Sequence, residues 1–212
     1  MKKDNFEKFA INKIFPSALK TPILKALSFY PSLKNVKIEF VFNEKIRKSV
    51  MQAQPKYRSM TGSRTRRSYI IKISRCFSLK GHKTPIQKLP EDVLVGWIGH
   101  ELGHVMDYLD KSNRSLIFFG FAYLTSKDFI KTAERAADTY AVEHGLGKYI
   151  LATKKFILHE AGMPDRYIKR INKLYLPPEE IMELMEEPLE ELEHDLEELE
   201  ELDVEQEKEK VE

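Results

Sequence analysis

His100, Glu101 and His104 stand together in GWIGHELGHVMDY, residues 96–108. On a helix, residues four apart lie about 40° from one another around the axis, so the two imidazoles share a face and can offer nitrogens to one ion. Bonds of roughly 2.0–2.1 Å from two ring nitrogens suit Zn²⁺. Glu101 lies one residue on, about 100° around, beside such an ion rather than on it. That is where a general base must sit to take a proton from an activated water. In a chain with 6 His among 212 residues, an HExxH match arises by accident on the order of 2% of the time. The competing reading is two helix histidines that merely cap or pack locally.

A catalytic zinc needs a third protein ligand and an open position. The segment TAERAADTYAVEHG, residues 132–145, lies about 30 residues downstream and places Glu134 and Asp138 four apart. Ala133, Ala136, Ala137 and Ala141 make this helix slim. Gly96, Gly99 and Gly103 do the same beside the histidine face, although each glycine costs up to ~1 kcal/mol relative to alanine in a helix. Small residues on both helices let the backbones approach, which brings Glu134 within reach of a metal held by His100 and His104. Asp138, one turn on, can then accept the second ring N–H of a ligand histidine and fix its tautomer. Against this stands an exposed Glu134 paired with Arg135 or Lys131. Asp110, six residues after His104, is a rival third ligand of the metzincin type, but Asp107 occupies the place of the glycine that such a chain needs to turn. His144 lies almost three turns past Glu134, too far to share its ion, and is a candidate donor to substrate.

The pair HELGH and AERAAD resembles the HExxH plus ExxxD pattern of gluzincin metallopeptidases, above all the family of the CAAX prenyl protease and the bacterial heat-shock membrane peptidase. In that family the second motif reads Glu, two residues, Ala, Asp, which Glu134, Ala137 and Asp138 match. The resemblance implies metal ligands His100, His104 and Glu134, general base Glu101, and Asp138 supporting a ligand histidine. It covers roughly residues 30–160 and implies an edge strand above the cleft that holds an extended substrate, for which residues 68–77 are the candidate. The family's membrane enzymes have long spanning helices, which this chain lacks. For the family's downstream oxyanion donor, His144, Arg135 and Tyr140 are the candidates.

The elements that must position these residues follow from periodicity. Thr21 and Pro22 mark a helix start running through ILKALSF to Pro31. VKIEFVF, 36–42, and SYIIKISRCF, 68–77, alternate apolar and polar residues, each a strand with one buried face. The 25 or so residues between them are too many for a hairpin turn and can hold a short helix or another strand. After Pro90, Leu94, Ile98, Leu102, Val105 and Leu109 recur at spacings of three and four, so the histidine motif is helical. A second helix starts at TSKD, 125–128, with capping-box spacing, and ends near Gly145 or Gly147. KYILATKKFILHEAG and PDRYIKRINKLYL give two more. The run LIFFGFAYL, 116–124, is far short of the roughly 20 residues of a spanning helix and reads as buried core.

The net charge of +2 conceals an asymmetry. Residues 179–212 carry 18 acidic residues against 2 Lys, leaving 33 Lys plus Arg against 15 acids before them. Met182, Met185, Leu189, Leu192, Leu196 and Leu199 alternate spacings of three and four there, interrupted by Pro188, so the tail is a helix conditional on a basic surface or is disordered. It is expected to dock on the basic strand region and gate the cleft. The single cysteine, Cys76, excludes an intramolecular disulfide and a CxxC zinc site. The N-terminus lacks a signal-like apolar run, so a cytoplasmic location is expected.

The sequence therefore predicts an α+β protein with a minimal zincin-like core, residues 1–178. A small β-sheet packs on an active-site helix and a Glu-bearing helix, with further helices toward the C-terminus and an acidic tail from 179. The expected function is zinc-dependent hydrolysis of a protein or peptide substrate. The alternative is a basic nucleic-acid- or protein-binding module with a structural or non-catalytic zinc.

Overall fold

The computed structural model describes residues 6–186 apart from 45, 47, 48 and 62. The fold is mixed α and β. Six strands, β1 (Lys13–Ile14), β2 (Lys37–Phe42), β3 (Met51–Pro55), β4 (Ser68–Ile73), β5 (Cys76–Leu79) and β6 (His82–Pro85), precede most of the helices. Helix α1 (Lys20–Ser28) lies between β1 and β2. After β6 come α2 (Glu91–Asp110), α3 (Asn113–Thr125), α4 (Lys127–Ala141), α5 (Gly147–Lys155) and α6 (Asp165–Leu174). Residues 178–186 are helical again. The docking expected of the rest of the acidic tail lies outside the described residues.

Four strands form one sheet in the order β1-β2-β4-β3. β1, β2 and β4 run parallel, with Ile38 beside Tyr69 and Phe40 beside Ile71, while β3 is antiparallel to β4 with Ala53 beside Ile71. Alternation puts Ile38, Phe40, Tyr69, Ile71 and Ile73 on the buried face, as the strand patterns predict. The strand expected over 68–77 is two elements. β4 stops at Ile73, and Cys76 opens a separate antiparallel hairpin of β5 with β6. The long basic connection contains the extra strand, β3, and this changes the edge. Because β3 covers β4's far side, β4 is central, and β3 is the edge strand beside α2.

α2 is the central post. Fourteen of its 20 residues are buried, and α1, α4, α5 and β3 pack around it. Glu91 and Asp92 occupy its first turn, favourable against the helix dipole. Close packing depends on two of its glycines. A Cβ on Gly103 would fall 2.3 Å from the Ala137 carbonyl oxygen of α4, and one on Gly96 would fall 2.2 Å from that of Tyr149 in α5. Gly103 thus does what the spacing implies, against the alanine face of α4. Gly96 serves a different helix, α5.

α1 begins directly from a 3₁₀ turn, Ser17–Leu19, so Thr21 sits inside its first turn rather than capping it. Ser126 does cap α4, accepting from the Phe129 N–H at 3.2 Å. α4 continues through a π-type turn, Val142–Leu146, into α5. Gly145 supplies the break there with φ 83°, a left-handed value that favours glycine. The run 116–124, expected as buried core, forms most of α3 and is buried on one side only. Leu116, Phe119 and Ala122 face inward, while Ile117, Phe118 and Phe121 are exposed.

Candidate metal centre

α2 and α4 bring the sequence-predicted ligands to one point. His100, His104 and Glu134 are 7%, 5% and 3% exposed, and one ligand atom from each lies within 4.8 Å of the others. Glu134 Oε2 is 3.1 Å from His100 Nε2 and 3.5 Å from His104 Nε2. In a tetrahedral zinc site with bonds of 2.0–2.1 Å, donor atoms sit roughly 3.3 Å apart. The two carboxylate–imidazole spacings bracket that value, and the chemistry of the donor set suits a divalent cation. An exposed Glu134 paired with Arg135 is not what forms: Arg135 pairs instead with Glu180.

Two of the three donors, His100 and Glu134, are oriented from behind by a hydrogen bond. Asp138 Oδ1 lies 2.8 Å from His100 Nδ1, so that ring turns Nε2 toward Glu134. Asp138 is itself held by Lys154 Nζ at 3.1 Å and by the Leu176 N–H at 3.0 Å, both on Oδ2. Tyr123 Oη, reaching inward from α3, donates to Glu134 Oε1, which leaves Oε2 as the oxygen facing the histidines. His104 Nδ1 is buried with no hydrogen-bond partner among the described residues, and its ring lies against Tyr108.

Charge follows geometry. Burial opposes a proton on His100, but the hydrogen bonds of Asp138 and Glu134 outweigh it and push its pKa up to about 10. Burial likewise opposes the charge on Glu134, and the two histidines overcome it, holding that carboxyl well below the usual range. For Asp138, burial is outweighed by Lys154 and His100, so it too stays ionised. This pattern is one positive group clamped between two carboxylates. A metal cation satisfies the same carboxylates once His100 gives up its proton.

Glu101 differs. Burial raises its pKa above the ordinary carboxyl value, and it lies outside the ligand set. Its Oε2 accepts the Ala53 N–H of edge strand β3 at 2.5 Å. Beside it opens a small cavity of about 50 Å³, lined by Met51, Trp97, His100, Glu101, Tyr167 and Tyr175 among others.

The three candidate substrate donors stand elsewhere. His144 Nδ1 lies 2.7 Å from the Tyr140 carbonyl oxygen, and its ring stacks on Tyr30. Tyr140 Oη donates to Asp110 Oδ2 at 3.1 Å, and Arg135 holds Glu180. Asp110 is exposed at the end of α2, away from the ligand set. Sequence reasoning missed Tyr123, Lys154 and the Ala53 N–H. For Lys154 a signal existed, because it shares a helical face with Ile150 and Ile157, both buried, and a lysine on an apolar stripe needs a partner. For Tyr123 no spacing pointed to Glu134.

Among known proteins, no family model, no curated protein and no solved structure matches this chain.

Proposed function

We propose that this chain is a zinc-dependent metallopeptidase of gluzincin type, with a zincin-like core formed by β3, α2 and α4. The observation that carries the proposal is the convergence of one ligand atom each from His100, His104 and Glu134 within 4.8 Å, with Glu134 Oε2 3.1 and 3.5 Å from the two Nε2 atoms, and with a buried carboxylate, Glu101, beside that point and not part of it. The resemblance of HELGH and AERAAD to the gluzincin motifs supports the same reading.

His100, His104 and Glu134 would hold the ion, and Asp138 keeps His100 in the tautomer that presents Nε2. When bound, zinc supplies Lewis acidity, which makes water a nucleophile near neutral pH and favours negative charge on a carbonyl oxygen. The remaining work belongs to the chain. Glu101, anchored through Oε2 to Ala53, takes the water's proton on Oε1 and returns it to the leaving amine as the peptide bond breaks. A carboxyl whose pKa is raised by burial is suited to both halves of that exchange. Edge strand β3 lies alongside, with Ala53 held by Glu101 and Tyr108, and its main chain beyond Ala53 can align an extended peptide.

Glu101→Gln tests the assignment, with cleavage of an unstructured protein such as casein as readout. The variant keeps the wild-type zinc content and melting temperature and loses at least about 100-fold in turnover, within the range of general acid–base contributions. Retention of cleavage at the wild-type rate would overturn it.

A further inference from the structure

One surface lies outside the metal centre and no part of the proposed chemistry uses it. Helix α3 exposes Ile117, Phe118 and Phe121 at 65%, 69% and 66% on its outer side. Three large apolar side chains on one helical face are costly in water and in a folded protein mark a contact. Beside the start of α3 lies the connection between β3 and β4. Asn113 Nδ2 donates to the Met60 carbonyl at 2.7 Å, Arg67 Nη1 donates to the Tyr108 carbonyl at 2.9 Å, and Tyr57 stands 81% exposed.

Basic groups outnumber acidic ones on this surface, where Asp107 pairs with Lys111 and the exposed Asp110 and Asp128 stand at its borders. Residues 56–67 contain five Lys or Arg and no acid, and residues 111–127 contain three and no acid. Arg58, Arg64, Arg66, Arg114 and Lys127 are exposed. An apolar helical face with aromatic residues and a basic surround is the composition of a helix lying in the headgroup region of an anionic bilayer.

We propose that α3 and the described residues of the 56–67 connection form a peripheral docking surface for anionic lipid membranes. Phe118, Phe121 and Ile117 enter the headgroup and acyl boundary, and the arginines meet the lipid phosphates. The other occupants fit less well. A second copy packed face to face would bring two basic rims together. Nucleic acid matches the arginines and the aromatic rings but offers no apolar phase for Ile117. The described start of the acidic tail is seated elsewhere. The helix at 178–186 is fixed by Glu180 on Arg135 and by Met185 against Gly147, whereas α3 packs at the start of α4, with Phe119 against Phe129.

No described helix is long and apolar enough to cross a membrane, so the docking is peripheral and salt-sensitive. The test is co-sedimentation of the full chain with large unilamellar vesicles of phosphatidylcholine alone or with phosphatidylglycerol. Wild type partitions onto the anionic vesicles, and each exposed arginine changed to glutamine weakens this about five-fold, the equivalent of roughly 1 kcal/mol per basic residue. Ile117→Ser with Phe118→Ser and Phe121→Ser weakens it more than ten-fold while zinc content and melting temperature stay at wild type. That control separates this surface from the metal centre. Absence of binding to anionic vesicles, or binding untouched by the triple variant, overturns the proposal. So does a wild-type dimer that the triple variant converts to monomer, or retention of single-stranded DNA in place of vesicles.

Discussion

Lys154 and Asp138 form an ion pair at 3.1 Å in which both side chains are buried, and Asp138 uses its other oxygen on His100. The lysine therefore stands two hydrogen bonds behind His100, a candidate metal ligand. Lys154→Met keeps the volume and removes the charge, leaving a buried carboxylate short of one partner. Breaking such a pair costs about 3–5 kcal/mol. Urea unfolding of the metal-free protein should show a loss of that size, and adding Asp138→Asn to Lys154→Met should recover part of it. A loss below about 1 kcal/mol would mean that the pair does not hold Asp138.

Protons and metal compete for His100. Its folded pKa of about 10 stands above the ordinary histidine value, so its stabilising contribution is complete below about pH 6.5 and is lost as pH rises through 10. Glu134 and Asp138 are depressed, so theirs is present above the ordinary carboxyl range and is lost as pH falls. The metal-free protein is therefore most stable from about pH 5 to 6.5 as far as this cluster decides it. Zinc needs the neutral imidazole, so binding near pH 7 releases about one proton and its affinity rises up to ten-fold per pH unit. Isothermal titration in buffers of different ionisation heat reads the proton directly. Zinc should also raise the melting temperature more at pH 8 than at pH 6.

Gly103 sets the distance between the ligand helices. In Gly103→Ala the new methyl would sit 2.3 Å from the Ala137 carbonyl oxygen, so α2 and α4 must separate. Overpacking of this kind costs about 1–3 kcal/mol, and Glu134 moves with α4. The variant should melt lower and bind zinc more weakly than wild type. Gly120→Ala is the control, since a Cβ there meets nothing within 4 Å.

Tyr123 orients Glu134 from α3. Tyr123→Phe keeps the ring and removes the donor, so the melting temperature changes little while zinc affinity falls about 10- to 100-fold, the usual cost of losing a partner behind a ligand. Unchanged affinity in a chelator competition would assign Tyr123 a packing role only.

His100, His104 and Glu134 were legible in the sequence because helical periodicity is local. Four-residue spacing fixes which side chains share a face, and the glycines and alanines announced that two such faces approach. What was not legible depended on partners far apart in the chain. The hydrogen bond of Ala53 to Glu101 spans 48 residues, and it exists because β3, allowed for in the connection but not placed by its pattern, took the sheet edge expected of 68–77. β3 reads MQAQP, with only Met51 and Ala53 as inward apolar residues, too weak an alternation to mark a strand. The LIFFGFAYL run misled differently. Hydrophobicity all around a helix reads as burial on both sides, yet α3 packs on one side only. The oxyanion candidates failed to gather because their helical spacing from Glu134 turns them toward Tyr30, Asp110 and Glu180.

The central claim is a three-ligand metal centre, and the direct measurement is zinc content by elemental analysis after exhaustive dialysis, for wild type beside Glu134→Ala and Glu134→Gln. The account predicts close to one zinc per chain in wild type, and loss of zinc in both variants with the far-ultraviolet circular dichroism of the folded chain retained. Wild type without zinc, or variants that hold it as tightly as wild type, would contradict the centre and the function proposed from it.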